Sequence, residues 1–229
     1  MRITHIDYER LELELTEPYT IAYESIDRAT NFILQLATDR GIVGYGCAAP
    51  DMGVTGETAK EVEEAIRTVI SPALLGQSPL RYAYLIESLS GRVKSSTLAM
   101  VDLALHDIMA KLAGVPLYQL LGGYRDCIAT SVTITILPMA ETMAKAAEYV
   151  SQGFGIIKVK GGLDVNEDIA RLKAIRNKYP KIVLRFDGNQ GYSLEQAMTF
   201  VSKAQPLGVE ILEQPTTVKD EELMGQISL

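Results

Sequence analysis

The sequence predicts an α/β fold in two parts: an α+β unit over residues 1–125 and, over residues 126–229, four βα units of a parallel sheet. Three observations predict it. From Ile3 to Cys47 the chain reads as strands separated by turn residues; from Thr58 to Leu121 it reads as helices with no strand between them; after Arg125 apolar strands and amphipathic helices alternate. In that last stretch the strands end near Thr135, Lys160, Asp187 and Glu213, at intervals of 25, 27 and 26 residues. A regular βα period of this length is the mark of a parallel sheet.

The elements follow in order. Ile3, Ile6, Leu11, Leu13 and Leu15 alternate with charged residues, the pattern of a half-buried strand, with a break expected near Asp7 and an end at Glu17-Pro18. Asn31 to Thr38 is a second strand, Asp39-Arg40-Gly41 a hairpin turn, and Ile42 to Cys47 a third strand. Thr58 to Ile70 has helical spacing with acidic residues early, and Pro72 is expected to follow its end. Pro79 to Ser90 and Ser95 to Ala113 are further helices, the latter closed by Gly114 with Pro116 beyond it, and Leu117 to Leu121 is a short helical turn. In the second part, strands are expected at Ile128 to Ile136, Gly155 to Lys160, Ile182 to Asp187 and Val209 to Glu213. Helices are expected at Ala140 to Gln152, Asn166 to Lys178 and Ser193 to Ala204, with another starting at Lys219.

A parallel sheet is either open and doubly wound or closed into a barrel. A doubly wound nucleotide fold carries a glycine-rich turn after its first strand; here Leu137-Pro138-Met139 stands there. The expectation is therefore the first half of a TIM-like (β/α) barrel. A whole barrel needs eight such units, so the chain is expected to be truncated.

Composition narrows the function classes. A net charge of −7 and a pI near 5.0 argue against a nucleic-acid partner, which needs a basic face. Cys47 and Cys127 are far apart and have no neighbouring histidines, so two reduced thiols are expected rather than a zinc site. Residues 1–8 do not read as a signal peptide, and no apolar run approaches a membrane span. A cytoplasmic protein without a membrane partner is the expectation. His106, on an apolar helix, reads as structural and His5 as a surface residue; Met52 and Val54, in the loop after Pro50, are expected to cover a pocket.

In a barrel the active site lies at the C-terminal ends of the strands, and three successive apolar strands here finish in charge. Lys158 and Lys160 are two apart on one strand and share a face; Asp187 and Asn189 follow the next strand's end; Glu213 ends the third. Each alone has an ordinary reading: a solvated lysine pair, a turn, a loop start. Their joint recurrence at the strand interval points to chemistry. Two carboxylates on neighbouring strands suit a hard cation such as Mg²⁺. A lysine crowded by a second lysine and a cation is expected to have its pKa lowered, which fits it to take a weakly acidic proton while the metal stabilises the resulting oxyanion.

Lys158-Val-Lys160, Asp187-Gly-Asn189 and Glu213-Gln-Pro215 resemble the lysine motif and the first two metal-ligand motifs of the enolase superfamily, in its muconate-lactonizing subgroup. Gly44-Tyr-Gly46, the Asp102 to Asp107 helix and Pro116 to Gly123 agree, so the resemblance spans nearly the whole chain. It implies that residues 1–125 are a capping domain and 126–229 the first four barrel units. It implies Lys160 as the acid/base on one face of the substrate, Lys158 as its electrostatic helper, Asp187 and Glu213 as Mg²⁺ ligands, and Asn189 as their support. The family's third metal carboxylate and opposing lysine would lie beyond Leu229. Members form homo-oligomers.

Within the subgroup, Thr130 to Ile136 and Thr55-Gly-Glu-Thr58 are most similar to dipeptide epimerases, which move the α-proton of the C-terminal residue of a small dipeptide; Thr133 matches their substrate-holding threonine. Epimerases of Ala-Glu carry an arginine on the first cap loop where this chain has Glu24. A carboxylate there would repel a glutamyl side chain, so the expected substrate is a neutral or cationic dipeptide. The alternatives are a muconate cycloisomerase or an o-succinylbenzoate synthase, which put the same groups to work on other carboxylates, or an inactive fragment.

Overall fold

In the computed structural model, residues 1–20 and 25–227 are described, without the side chains of residues 17–20, 25, 26, 220, 221, 223 and 226. Internal contacts divide the chain into two units, one of Met1–Thr16 with Arg28–Asp126, the other of Cys127–Leu229 with Glu17–Asp27.

The first unit holds β3 (Val43–Ala48) and most of β1 (Ile3–Thr20) and β2 (Ser25–Thr38), the three strands adjacent in the order β1, β2, β3. β2 and β3 run antiparallel, Leu34 opposite Gly46 and Leu36 opposite Gly44. β1 has no break at Asp7. Phe32, Leu34 and Leu36 alternate on β2 and are fully buried against Met100, Ala104, Leu105 and Ile108 of the long helix that follows.

The helical run starts at α1 (Ala59–Ala65), where Thr58 and Glu61 form a reciprocal capping box. It does not stop before Pro72. It widens into a π-turn at Ile66–Ile70 and continues as α2 (Ser71–Leu74). Proline has no N–H and its ring crowds the carbonyl one turn back. The π-turn absorbs both defects: the Ser71 N–H reaches back to the Ile66 carbonyl, and the Ser71 hydroxyl donates to the same oxygen at 2.7 Å. After a 3₁₀ turn at Pro79–Arg81 come α3 (Tyr82–Leu89), α4 (Ser95–Ala113) and α5 (Leu117–Leu120). Gly114 closes α4 at φ 69°. The other end of α4 receives Glu57, whose buried carboxylate accepts from the Ser96 N–H (2.7 Å) and the Thr97 hydroxyl (2.6 Å), a favourable charge at a helix N-terminus.

The second unit alternates β4 (Ser131–Ile134), α6 (Met139–Ser151), β5 (Ile156–Lys160), α7 (Val165–Lys178), β6 (Val183–Asp187), α8 (Leu194–Ala204), β7 (Val209–Glu213) and, after a 3₁₀ turn, α9 (Met224–Ile227). The four strands form one sheet in sequence order, every pair parallel. Ile157, Val159, Leu184 and Phe186 are fully buried and belong to one core with Leu172 and Ile175 of α7 and Ala197 and Phe200 of α8. The residues between them, Lys158, Lys160, Arg185 and Asp187, necessarily point to the sheet's other face. Among the described residues no helix is long and apolar enough to cross a membrane, and both cysteines are free and exposed.

Candidate functional site

Strand register builds the site. Lys160 lies opposite Asp187 on the neighbouring strand, and Asp187 opposite Glu213 on the next, so one row of side chains crosses the C-terminal ends of β5, β6 and β7. A second row, one step back, places Thr133 opposite Lys158 and Lys158 opposite Arg185. Regular pairing would not have given the first row. β6 and β7 pair Leu184 with Val209 but Arg185 with Ile211, a bulge that takes up Glu210 as an extra residue. Without it Asp187 would face Leu212, and Glu213 would project to the opposite face. Bulges commonly re-aim a side chain in this way.

The row is a tight ionic cluster. Asp187 Oδ2 accepts from Lys160 Nζ at 2.7 Å and pairs with Lys158 Nζ at 2.8 Å; Lys158 Nζ also donates to Glu213 Oε2 at 2.5 Å. The Asn189 N–H donates to Asp187 Oδ1 at 2.9 Å. Lys160 is only 7% exposed and Asp187 1%, whereas Glu213 opens to solvent. The structure therefore brings Lys158, Lys160, Asp187, Asn189 and Glu213 together, with Thr133 one row back beside Lys158. Glu24 lies outside the described residues. Met52 and Val54 are exposed.

Burial works to raise the Asp187 carboxyl, but hydrogen bonds from Lys158, Lys160 and the Asn189 backbone outweigh it and hold it below its ordinary range. Burial likewise works to lower Lys158, but its contacts with Asp187 and Glu213 outweigh it and raise its pKa. Lys158 stands between two carboxylates.

The donor set suits a hard cation. Two carboxylates stand on adjacent strands, and the Asn189 side-chain oxygen beside them is buried without a hydrogen-bond partner among the described residues. Mg²⁺ is commonly held by one or two carboxylates while keeping several waters. Among the described residues no cluster of three or more His, Cys, Asp or Glu side chains able to hold a metal forms, so this chain offers two carboxylates and an amide oxygen.

The loops that carry these groups hold an unusual backbone. Asn189, Gln190 and Gln214 have positive φ (43°, 63° and 31°). Asparagine tolerates that region; glutamine does so at a cost of roughly 1–3 kcal/mol. The loops offset it by continuing the parallel ladder past the strands: the Gly161 N–H donates to the Asp187 carbonyl (3.0 Å), Gly188 to Glu213 (3.1 Å), Gln190 to Gln214 (2.8 Å) and Tyr192 to Pro215 (2.9 Å). The positive-φ residues, not their identities, are the signal, and no sequence pattern carries it.

Comparison with known proteins agrees with this geometry. Residues 6–122 match the model of the mandelate racemase/muconate lactonizing enzyme N-terminal domain, and residues 141–228 that of the enolase C-terminal domain-like family. The chain is 42% identical to an L-Lys-D/L-Arg epimerase of Desulforapulum autotrophicum, over 99% of this chain and 65% of that protein. It superimposes on a substrate-liganded L-Ala-D/L-Glu epimerase of Bacillus subtilis with a TM-score of 0.93 at 35% identity, covering 99% of this chain and 65% of that one. A dipeptide epimerase of Methylococcus capsulatus complexed with Mg and L-Arg-D-Lys gives a TM-score of 0.92 at 34% identity, covering 97% and 64%. The chain thus spans about two thirds of the length of these relatives. The row of Lys160, Asp187 and Glu213 across three parallel strands, the sheet-and-helix unit before it and both matched models lead to one statement: the chain belongs to the mandelate racemase/muconate lactonizing enzyme family of the enolase superfamily.

Proposed function

We propose that the protein is a Mg²⁺-dependent dipeptide epimerase that removes and returns the α-proton of the C-terminal residue of a neutral or cationic dipeptide. The observation that carries this reading is the convergence of two lysines and two carboxylates at the C-terminal ends of three neighbouring parallel strands. Asp187 and Glu213 would hold the metal, with Asn189 supporting them; bound there, Mg²⁺ supplies positive charge that favours the electron pair left on the substrate carboxylate when the proton departs.

The remaining work falls to this chain's side chains. Lys160 Nζ, nearly buried at the end of β5, would take the α-proton from one face of the substrate, and the return on the other face would fall to the opposing lysine that the family resemblance implies. Lys158 Nζ, bridging the two carboxylates, keeps their negative charge balanced and adds positive charge beside Lys160. Burial excludes water from Lys160, which strengthens every charge interaction there. Thr133, opposite Lys158, would hold the substrate, and Glu24 would set its preference by repelling an acidic side chain. The 42% identity to an L-Lys-D/L-Arg epimerase supports the cationic preference. Cytoplasmic residence and homo-oligomeric assembly belong to the same reading.

The test is deuterium exchange at the α-carbon, with Mg²⁺, for L-Lys-L-Arg, L-Ala-L-Ala and L-Ala-L-Glu. Faster exchange of either of the first two supports the proposal. Fastest exchange of L-Ala-L-Glu would refute the substrate assignment, and exchange of none would refute the reaction.

A further inference from the structure

Behind the row of charged strand ends sits a buried carboxylate that the proposed reaction does not use. Asp168, in the first turn of α7, is fully buried. Its Oδ2 accepts the Gly162 N–H at 2.9 Å and the Tyr192 hydroxyl; its Oδ1 pairs with the Arg171 guanidinium. Arg171 in turn donates to the Leu137 carbonyl at 3.1 Å. Gly162 is two residues past Lys160, Tyr192 five past Asp187, and Leu137 four past Thr133. One carboxylate thus ties the loops that follow β4, β5 and β6.

The loops close around it without slack. A Cβ at Gly161 would overlap the Asp168 carboxylate and the Phe186 ring, and one at Gly162 would overlap the Gly188 carbonyl. Gly162 also holds φ at 108°, a conformation that side chains oppose. The Phe186, Tyr192 and Phe200 rings stack beneath, with the first and last centroids 4.2 Å apart. The Asp168 and Arg171 charges are out of water, so removing either partner would leave the other buried and uncompensated.

We infer that Asp168 is a positioning residue of the proposed reaction: through Gly162 and Tyr192 it fixes the loops that aim Lys160 and Asp187 at each other. This rests on the reading of Lys160 and Asp187 as reacting groups. Misplacing a reacting atom by about 1 Å can cost on the order of a hundredfold in rate, so a node that holds two such groups in register acts on turnover rather than on substrate affinity.

Asp168→Ala strands a buried guanidinium and can fail to fold for that reason alone. Tyr192→Phe removes one hydroxyl from the node and leaves the Asp168–Arg171 pair in place, so it carries the test. Two quantities are compared with the parent: amide hydrogen exchange by NMR, and kcat and KM for dipeptide epimerisation. The expected result is exchange about tenfold faster at the amides of Gly161, Gly188 and Gln190, none of which bonds to Tyr192, with Leu172 of α7 unchanged. With it, kcat falls about tenfold and KM stays within about twofold. Exchange at those three amides within about twofold of the parent overturns the inference. So does acceleration spread evenly over α7 and the sheet, or a rise in KM with kcat unchanged. If the parent turns over no dipeptide, the proposed function fails by itself, and the exchange pattern alone decides the inference.

Discussion

The two units use close packing for opposite ends. In the first, Gly44 and Gly46 let the backbone of α4 lie directly on β3; a Cβ at either would overlap the Ala104 or Met100 carbonyl. That contact seals a core of Phe32, Leu34, Leu36 and the apolar side of α4. In the second, Gly161, Gly162 and Gly188 let loops lie against one another, and what they bring together is charge: Lys160, Asp187 and Glu213. The first unit uses its close contacts for apolar burial, and the second for holding opposite charges within hydrogen-bond distance. Stability should therefore be concentrated in the one and turnover in the other.

The comparison can be broken from either side. The largest effect is expected at Lys160. Lys160→Met keeps the side-chain length and removes the base, so turnover should fall about a thousandfold, near 4 kcal/mol of barrier, with the urea midpoint little changed. Steady-state kinetics beside a denaturation curve checks it. Next is Gly46→Val, which forces a side chain into the α4 backbone; a loss of about 3 kcal/mol in urea unfolding, or failure to fold, is expected.

Thr58→Ala removes the α1 cap and should cost about 1 kcal/mol, read the same way. Its partner Glu61 adds a pH dependence. Hydrogen bonds from the Thr58 backbone, Lys94 and the Thr58 hydroxyl hold Glu61 at about 2, below its ordinary 4.5. A depressed carboxyl contributes stability that is fully present above 4.5 and is lost as pH falls toward 2. Glu61→Gln should remove that contribution at neutral pH and so flatten the acid limb of the stability profile in that window, with parent and variant converging as pH falls toward 2. The smallest effect is expected at Glu14, whose contact with Arg28 is long (3.7 Å) and exposed on both sides. Glu14→Gln should change stability by less than about 0.5 kcal/mol.

Much of this was legible in the sequence because strand ends are marked by a change of residue type. Apolar runs that finish in Lys158-Val-Lys160, Asp187 and Glu213 announce both the strand and the face, and the strand interval announces the parallel order. Three things were not legible. Asp168 and Arg171 stand three apart on a charged helix, where nothing in the sequence marks them off from its other charges, yet both are buried. Val209 to Glu213 reads as an ordinary strand, although its bulge decides which way Glu213 points. The helix through Pro72 looked ended because a proline removes a hydrogen bond, and the π-turn that restores it depends on Ser71 and Ile66 in three dimensions.

The central claim is that Asp187 and Glu213 form one cation site beside Lys160. Mg²⁺ titration by calorimetry, on the parent and on Asp187→Asn and Glu213→Gln, tests it most directly. The account predicts saturable binding to the parent that weakens about tenfold or more in each variant, with the folded baseline preserved. Equal affinity in all three proteins would contradict it.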